Sequence, residues 1–313
     1  MASLGTEMNG HIRPRIWAVG GGKGGVGKTV ITANSAISLA QQGKSCIALD
    51  LDLGGANLHT VLGVPDPDRS LSDFLRRKVD TLSDTMVPTP YPNLHFISGS
   101  KALLEIANPK FSQKEKLIRH INTLDVDYVL LDLGAGSSFN TLDFFLSADE
   151  GVLVVLPEPT SVENAYHFIK AAFYRRLKKA TRKTGVAEAI DKAMEEKVAR
   201  GIQSPRTLIK NVLQINPEAG HALEEEAKSF KPNIIVNQAR KRDDQELGND
   251  IVQACHDYFG ISVRNLGHIE EDESLKEAVR LRRAVVDAFP VSSFARSIHS
   301  IVRNLLGVRN YSI

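Results

Sequence analysis

Residues 20–30 read GGGKGGVGKTV, six glycines and two lysines directly after the apolar run at 16–19. Within them GKGGVGKT, residues 22–29, fits the spacing G-x-x-x-x-G-K-[ST], with a strand expected before it and a helix after it. That pattern does phosphate chemistry. Glycines let the backbone N–H groups of the stretch Gly22, Lys23, Gly24, Gly25, Val26 and Gly27 turn inward, and the following helix aims its positive end at the same point. Lys28 then contacts the β and γ phosphates of a nucleotide and the Thr29 hydroxyl ligates Mg²⁺. A glycine-rich turn that merely joined strand to helix would explain neither Lys28 and Thr29 nor the second lysine, Lys23.

Two other segments carry carboxylates suited to the same chemistry. ALDLDLGGANL (48–58) sets Asp50 and Asp52 at a strand end, and YVLLDLGAG (128–136) sets Asp132 behind four apolar residues with Gly-Ala-Gly following. Carboxylates at strand ends beside a phosphate loop hold Mg²⁺ through water or orient an attacking water. Each alone could equally cap the next helix. Together with the loop they read as functional.

These residues need a scaffold, and the chain alternates accordingly. Apolar runs at 16–19, 46–52, 94–99, 128–134, 151–157, 233–238 and 263–269 read as buried strands, and helical spacing recurs between them at 32–42, 113–124, 161–177 and 250–259. The alternation predicts an α/β fold: a mostly parallel sheet flanked by helices in three layers, with ligands bound at the edge where the strands end. One domain over 1–313 is expected, interrupted by a charged helical insertion at 175–231 that holds 13 Lys and Arg against 8 Asp and Glu. Solvated helix faces are the ordinary account of such a charge run; a partner or nucleic-acid surface is the other. At 293–308, Phe294, Ile298, Ile301, Val302, Leu305 and Leu306 share one helix face, with Arg296 and Arg303 elsewhere. A helix packed on a sheet shows that stripe, and so does a basic membrane-surface helix; the packed reading is preferred.

Bulk properties narrow the classes. The formal charge of +2 does not argue for nucleic acid as an obligatory partner, and Cys46 and Cys255 are the only cysteines, which fits neither a disulfide framework nor a cysteine-rich metal site. The first fifteen residues contain no apolar segment of signal-peptide length, so a cytoplasmic location is expected.

KGGVGKT (23–29) resembles the deviant phosphate loop of the MinD/ParA family of ATPases, K-G-G-x-G-K-[ST], with its additional lysine. Within that family DLDLGGANLHTVLG (50–63), SLSDFLRRK (70–78), YVLLDLGAGSS (128–138), PEPTSVENAYHFIK (157–170), IIVNQARKRDD (234–244) and LGHIEEDESLKEAV (266–279) are similar to the FlhG/FleN flagellar-number regulators.

The resemblance implies a P-loop NTPase fold, ATP and Mg²⁺ as ligands, slow hydrolysis and an ATP-dependent homodimer in which Lys23 crosses to the other subunit's phosphates. It implies that Asp52 orients the hydrolytic water with Asp50 in support, and that Asp132 is the Walker B carboxylate, reaching the metal through water. Asp52 is a second metal candidate. Asn57 falls in the first switch segment, residues 134–136 in the second, and Asn237 matches the adenine-contacting asparagine.

Val30 stands where a serine or threonine often occurs in relatives, so a phosphate contact there comes from its backbone N–H alone. No DQAxxLR-like element precedes the loop. The implied output is placement or number of a cellular structure, the flagellum first, through a flagellar GTPase or a transcription regulator. A location at the inner membrane or cell pole goes with that output. Two alternatives stand beside it: a module that sequesters a transcription regulator with negligible hydrolysis, and a ParA-like partition ATPase on DNA, which is not favoured.

Overall fold

The apolar run before the glycines becomes strand β1 (Arg15–Gly20), buried at five of its six residues because helices cover both faces of the sheet. In the computed structural model, which describes residues 13–52, 55–65, 67–99, 111–181 and 205–307, it lies inside an eight-stranded sheet. The other strands are β2 (Cys46–Leu51), β3 (Met86–Pro88), β4 (Leu94–Ile97), β5 (Tyr128–Leu133), β6 (Glu150–Val155), β7 (Asn233–Ala239) and β8 (Arg264–Glu270). Their order is β3-β4-β2-β5-β1-β6-β7-β8, and each neighbouring pair is parallel except β3 with β4. All seven expected strands form. The eighth, β3, is three residues ending in Pro88, too short for a periodicity signal and tolerable to proline because it sits at the sheet edge.

Alternation along each strand sends side chains to two separate cores. From β1, Ile16 and Ala18 join Phe74, Phe145, Phe168, Phe173 and Phe259 on one face. Trp17 and Val19 join Ile37, Phe96, Phe294 and Ile298 on the other. The first face carries α3 (Leu71–Leu75), α4 (Phe111–Ile121), α5 (Phe139–Ser147), α6 (Pro159–Thr181), α7 (Pro205–Ile215), α8 (Pro217–Ser229) and α9 (Arg242–Phe259). The second carries α1 (Lys28–Gln41), α2 (Leu58–Val61), α10 (Glu273–Arg280), α11 (Val285–Ala288) and α12 (Ser293–Leu306). The layers are therefore helix, sheet, helix.

The charged segment joins this body directly. Helix α6 begins at Pro159 and runs through Arg175 without a break, and α7 and α8 place Ile209, Val212, Leu223 and Phe230 in the same core as Phe173. Among the described residues of 175–231 there is no strand; residues 182–204 lie outside the described residues. Arg175 donates to Asp143 at 2.5 and 2.7 Å and Arg176 to Glu226 at 2.8 Å, so these two cations are engaged in holding the helices together.

The C-terminal stripe is also spoken for. Ser292 Oγ accepts from Ala295 N to start α12, Gly307 ends it at φ 74, and Phe294, Ile298, Ile301, Val302 and Leu305 are buried against β8 and α1. A membrane contact through that face would require taking the core apart. Among the described residues no helix is long and apolar enough to cross a membrane.

Candidate phosphate-binding site

Parallel strands end together, and this brings the sequence candidates to one edge. In register, Asp132 on β5 lies beside both Asp50 on β2 and Val19 on β1. The glycine-rich loop leaves β1 between these strands and returns as α1.

Two glycines in the loop are required by geometry. A Cβ on Gly22 would come 2.3 Å from the backbone oxygen of Asn164, where α6 passes against the loop. Gly27 has φ 95, and a Cβ there would come 2.4 Å from Asn237 Nδ2. That amide donates to Val26 O at 2.9 Å, bracing the loop from β7. Beside Asn237 the β7–β8 register shifts and Gln238 takes φ 59, a bulge of the kind that re-aims a side chain next to a site.

Lys28 is only 7% exposed, and its ammonium has no ion pair among the described residues. A buried cation outside any close ion pair suits an anionic ligand. Thr29 follows it, half-buried in the first turn of α1, and Val30 is half-buried with its carbonyl accepting from Asn34 Nδ2 at 2.8 Å.

The three aspartates divide their work. Asp50 is fully buried and accepts from Asp52 N at 3.0 Å and Leu58 N at 3.2 Å, so it fixes both ends of the 52–57 segment: it is a positioning residue. Asp52 is half-buried, with its carboxylate flanked by Gly55 and Gly134; a Cβ on Gly134 would come 3.3 Å from its Oδ1. Asp132 is 1% exposed, and while Oδ1 accepts from the Thr32 hydroxyl at 3.3 Å, Oδ2 is buried without a hydrogen-bond partner.

Burial pushes Asp132 up to about 7, the neighbouring charge of Asp50 adds to this, and the Thr29 hydroxyl and Lys28 oppose it. Burial likewise pushes Asp50 up to about 6 against the hydrogen bonds from Leu58 and Asp52. An orphaned buried carboxylate oxygen facing a threonine hydroxyl is a donor set for a small hard cation, directly or through its water, and the residues fit Mg²⁺.

A family model named ParA and described as NUBPL iron-transfer P-loop NTPase matches residues 13–194. The chain belongs to the ParA family of P-loop NTPases. Antiactivator FleN of Pseudomonas aeruginosa is 26% identical to it, over 96% of this chain and 89% of FleN. The flagellum site-determining protein YlxH of Helicobacter pylori is 32% identical over 49% of this chain and 52% of its own length. Among solved structures, the septum site-determining protein MinD of Pyrococcus horikoshii, complexed with Mg-ADP, superposes with a TM-score of 0.61 at 21% identity, covering 96% of this chain and all of that one.

Some parts of this ParA-family site were invisible in the linear pattern. Gly136 N donates to Gly21 O at 3.0 Å, tying the Gly-Ala-Gly segment to the phosphate loop. Thr32 hydrogen-bonds both Lys28 O and Asp132; its place one turn after Lys28 was the available signal. Lys23 does not face Lys28's site within its own chain: its exposed ammonium lies 3.4 Å from Glu158 and 3.5 Å from the Thr160 hydroxyl, at the start of α6. Asn57 is exposed, its amide donating to Gly55 O at 2.7 Å, and Asn237 is engaged with the loop through Nδ2.

Proposed function

We propose that this protein is an ATP-gated switch that hydrolyses ATP slowly, dimerises around it and uses the dimer to select a partner that sets the placement or number of a cellular structure, the flagellum first. The observation that carries the reading is the convergence of Lys28, Asp52 and Asp132 on one sheet edge, with both switch segments hydrogen-bonded into it. Lys28 and the loop N–H groups hold the phosphates, Thr29 and Asp132 hold Mg²⁺, and Asp52 orients the attacking water and receives its proton as ADP and phosphate separate. A bound Mg²⁺ neutralises charge on the β and γ phosphates.

Partner choice follows from the segments that the γ-phosphate would order. Asp50 joins 52–57 to α2, and Gly136 joins the second segment to the loop, so loss of γ-phosphate is felt by both. The name of YlxH favours a flagellar output, and the name antiactivator, carried by FleN, favours one exerted by capturing another protein. Iron transfer is not carried over from the family description. Cys46 and Cys255 are buried in the cores on opposite faces of the sheet, and burial pushes their thiols up to about 12 and about 11, away from the thiolate a cluster needs.

Two measurements test the reading. Purified protein should release phosphate from ATP, and Asp52→Ala should slow release by about a hundred-fold, the scale of a lost general base. Equal, near-background rates for both proteins would remove the hydrolase. The second concerns Lys23, whose ion pair with Glu158 is exposed and so weakly held. Lys23→Ala should bind nucleotide as a monomer yet fail to form the dimer that light scattering detects with ATP and Mg²⁺; a dimer of normal stability would refute the role in trans.

A further inference from the structure

A second cleft, of about 770 Å³, opens at the far end of α1 from the phosphate loop. Fourteen residues of helix at about 1.5 Å each put it roughly 20 Å from Lys28. Its walls are the last turn of α1, the turn after α2, the 90–93 loop before β4 and the 282–287 stretch, which runs from the turn after α10 into α11. The volume is in the range of small-molecule sites.

Its chemistry is uneven. Ile37, Ala40 and Leu62 supply apolar lining, and Tyr91, flanked in sequence by Pro90 and Pro92, has its hydroxyl accepting from Ala284 N at 3.3 Å. On the same lining, Arg283 is held to Asp287 at 2.9 and 2.8 Å, whereas the exposed Arg282 has no ion pair among the described residues. Arg282 also adopts φ 51. It occupies the left-handed position that ends α10, where glycine is preferred and any other residue costs about 1 kcal/mol. The side-chain amides of Gln41 and Asn93 complete the rim with both donors and acceptors.

A hydroxyl-anchored tyrosine beside apolar lining, amide groups for a heterocycle edge and a guanidinium outside any ion pair among the described residues suit a flat base joined to a phosphate. We propose that this cleft is a second ligand site that takes a nucleoside monophosphate, base against Tyr91 and phosphate on Arg282. Its occupancy is communicated to the first switch segment. A Cβ on Gly63 would lie 3.0 Å from Arg282 O, so the turn after α2 abuts the residue that holds the phosphate. Helix α2 in turn begins at Leu58, whose N–H is held by Asp50. A ligand on Arg282 therefore steadies α2 from its far end.

Titration calorimetry with AMP, GMP and CMP on the Lys28→Ala variant, in which the phosphate loop is disabled, tests this without relying on hydrolysis. One of the three should bind saturably at one site per chain, with ribose 5-phosphate and inorganic phosphate at the same concentration giving none. Arg282→Gly keeps the left-handed turn and should fold with an unchanged or higher Tm, yet weaken binding by about ten-fold or more, the scale of a charged hydrogen bond. The same ligand should slow amide exchange across residues 58–64. Absence of saturation with all three nucleotides, undiminished binding by Arg282→Gly, equal binding of phosphate alone, or unaltered exchange at 58–64 would each overturn the proposal.

Discussion

Gly27→Ala should abolish nucleotide binding while leaving the fold intact. A methyl group at this position meets Asn237 Nδ2 at 2.4 Å, and the backbone φ of 95 is one that an L side chain resists. The left-handed strain costs roughly 1–2 kcal/mol. Displacing the amide from Val26 O removes a hydrogen bond worth about 0.5–1.5 kcal/mol, and leaves two buried polar atoms unsatisfied. Relief comes most readily by moving the loop away from β7, because the sheet beneath it is packed on both faces. The N–H groups of residues 24–28 then no longer converge on one point, and the loss falls on binding rather than on stability. Equilibrium dialysis with labelled ATP reads the first and thermal denaturation the second. A variant that binds ATP within ten-fold of the parent would show that Asn237 does not brace the loop. Asn237→Ala offers a graded comparison: it should weaken binding less than Gly27→Ala, because it removes the brace without forcing the loop to move.

That brace also marks where sequence reading stopped. The phosphate loop is a contiguous eleven-residue pattern, and Lys28, Thr29, Asp50, Asp52 and Asp132 sit at the ends of apolar runs, so their types and places follow from local order alone. The inner strands β1, β2 and β5 were legible because they are buried on both faces and read as nearly unbroken apolar runs, whereas β4 and β8, with exposed positions, were marked by shorter apolar stretches. Contacts between distant segments carry no such signature. Asn237 and Val26 are 211 residues apart, and nothing in NIIVNQ says that the amide turns toward a carbonyl of the loop. Gly22 matched the motif, yet the reason it must be glycine is the backbone of Asn164 in α6. Asp50 illustrates the same limit within one segment. Its spacing from Asp52 put both at a strand end, but the pattern does not say that β2 stops at Leu51, which leaves Asp50 inside the strand to hold backbone N–H groups and Asp52 beyond it. The C-terminal stripe was ambiguous in sequence because a sheet and a membrane ask the same periodicity of a helix; burial against β8 and α1 separates them.

Asp132→Asn separates the cost of the buried carboxylates from their use. Asp50 and Asp132 are raised to about 6 and about 7 from an unfolded value near 3.8, so between pH 4 and 7 the folded chain holds more protons than the unfolded one. The stability they contribute is fully present below the unfolded value and is lost as pH rises through the folded values. The nucleotide-free protein should therefore lose about 6 kcal/mol of stability between pH 4 and 7 on this account, with little further change from these groups above pH 8. Asp132→Asn removes the larger part: its denaturation midpoint at pH 8 should exceed the parent's, and its pH profile across this window should flatten. The same substitution takes away the buried oxygen that suits a cation, so ATP hydrolysis should fall on the order of a hundred-fold and added Mg²⁺ should no longer stabilise the nucleotide complex. In the parent, joint binding of ATP and Mg²⁺ near pH 6.5 should release protons, seen as a binding heat that varies with the ionisation enthalpy of the buffer. A parent with no such dependence, or an Asp132→Asn variant less stable than the parent without nucleotide, would mean that the carboxylate pair is already satisfied within the fold. The gain in resting stability and the loss of metal response must appear together, because both trace to the unpartnered Oδ2 of Asp132.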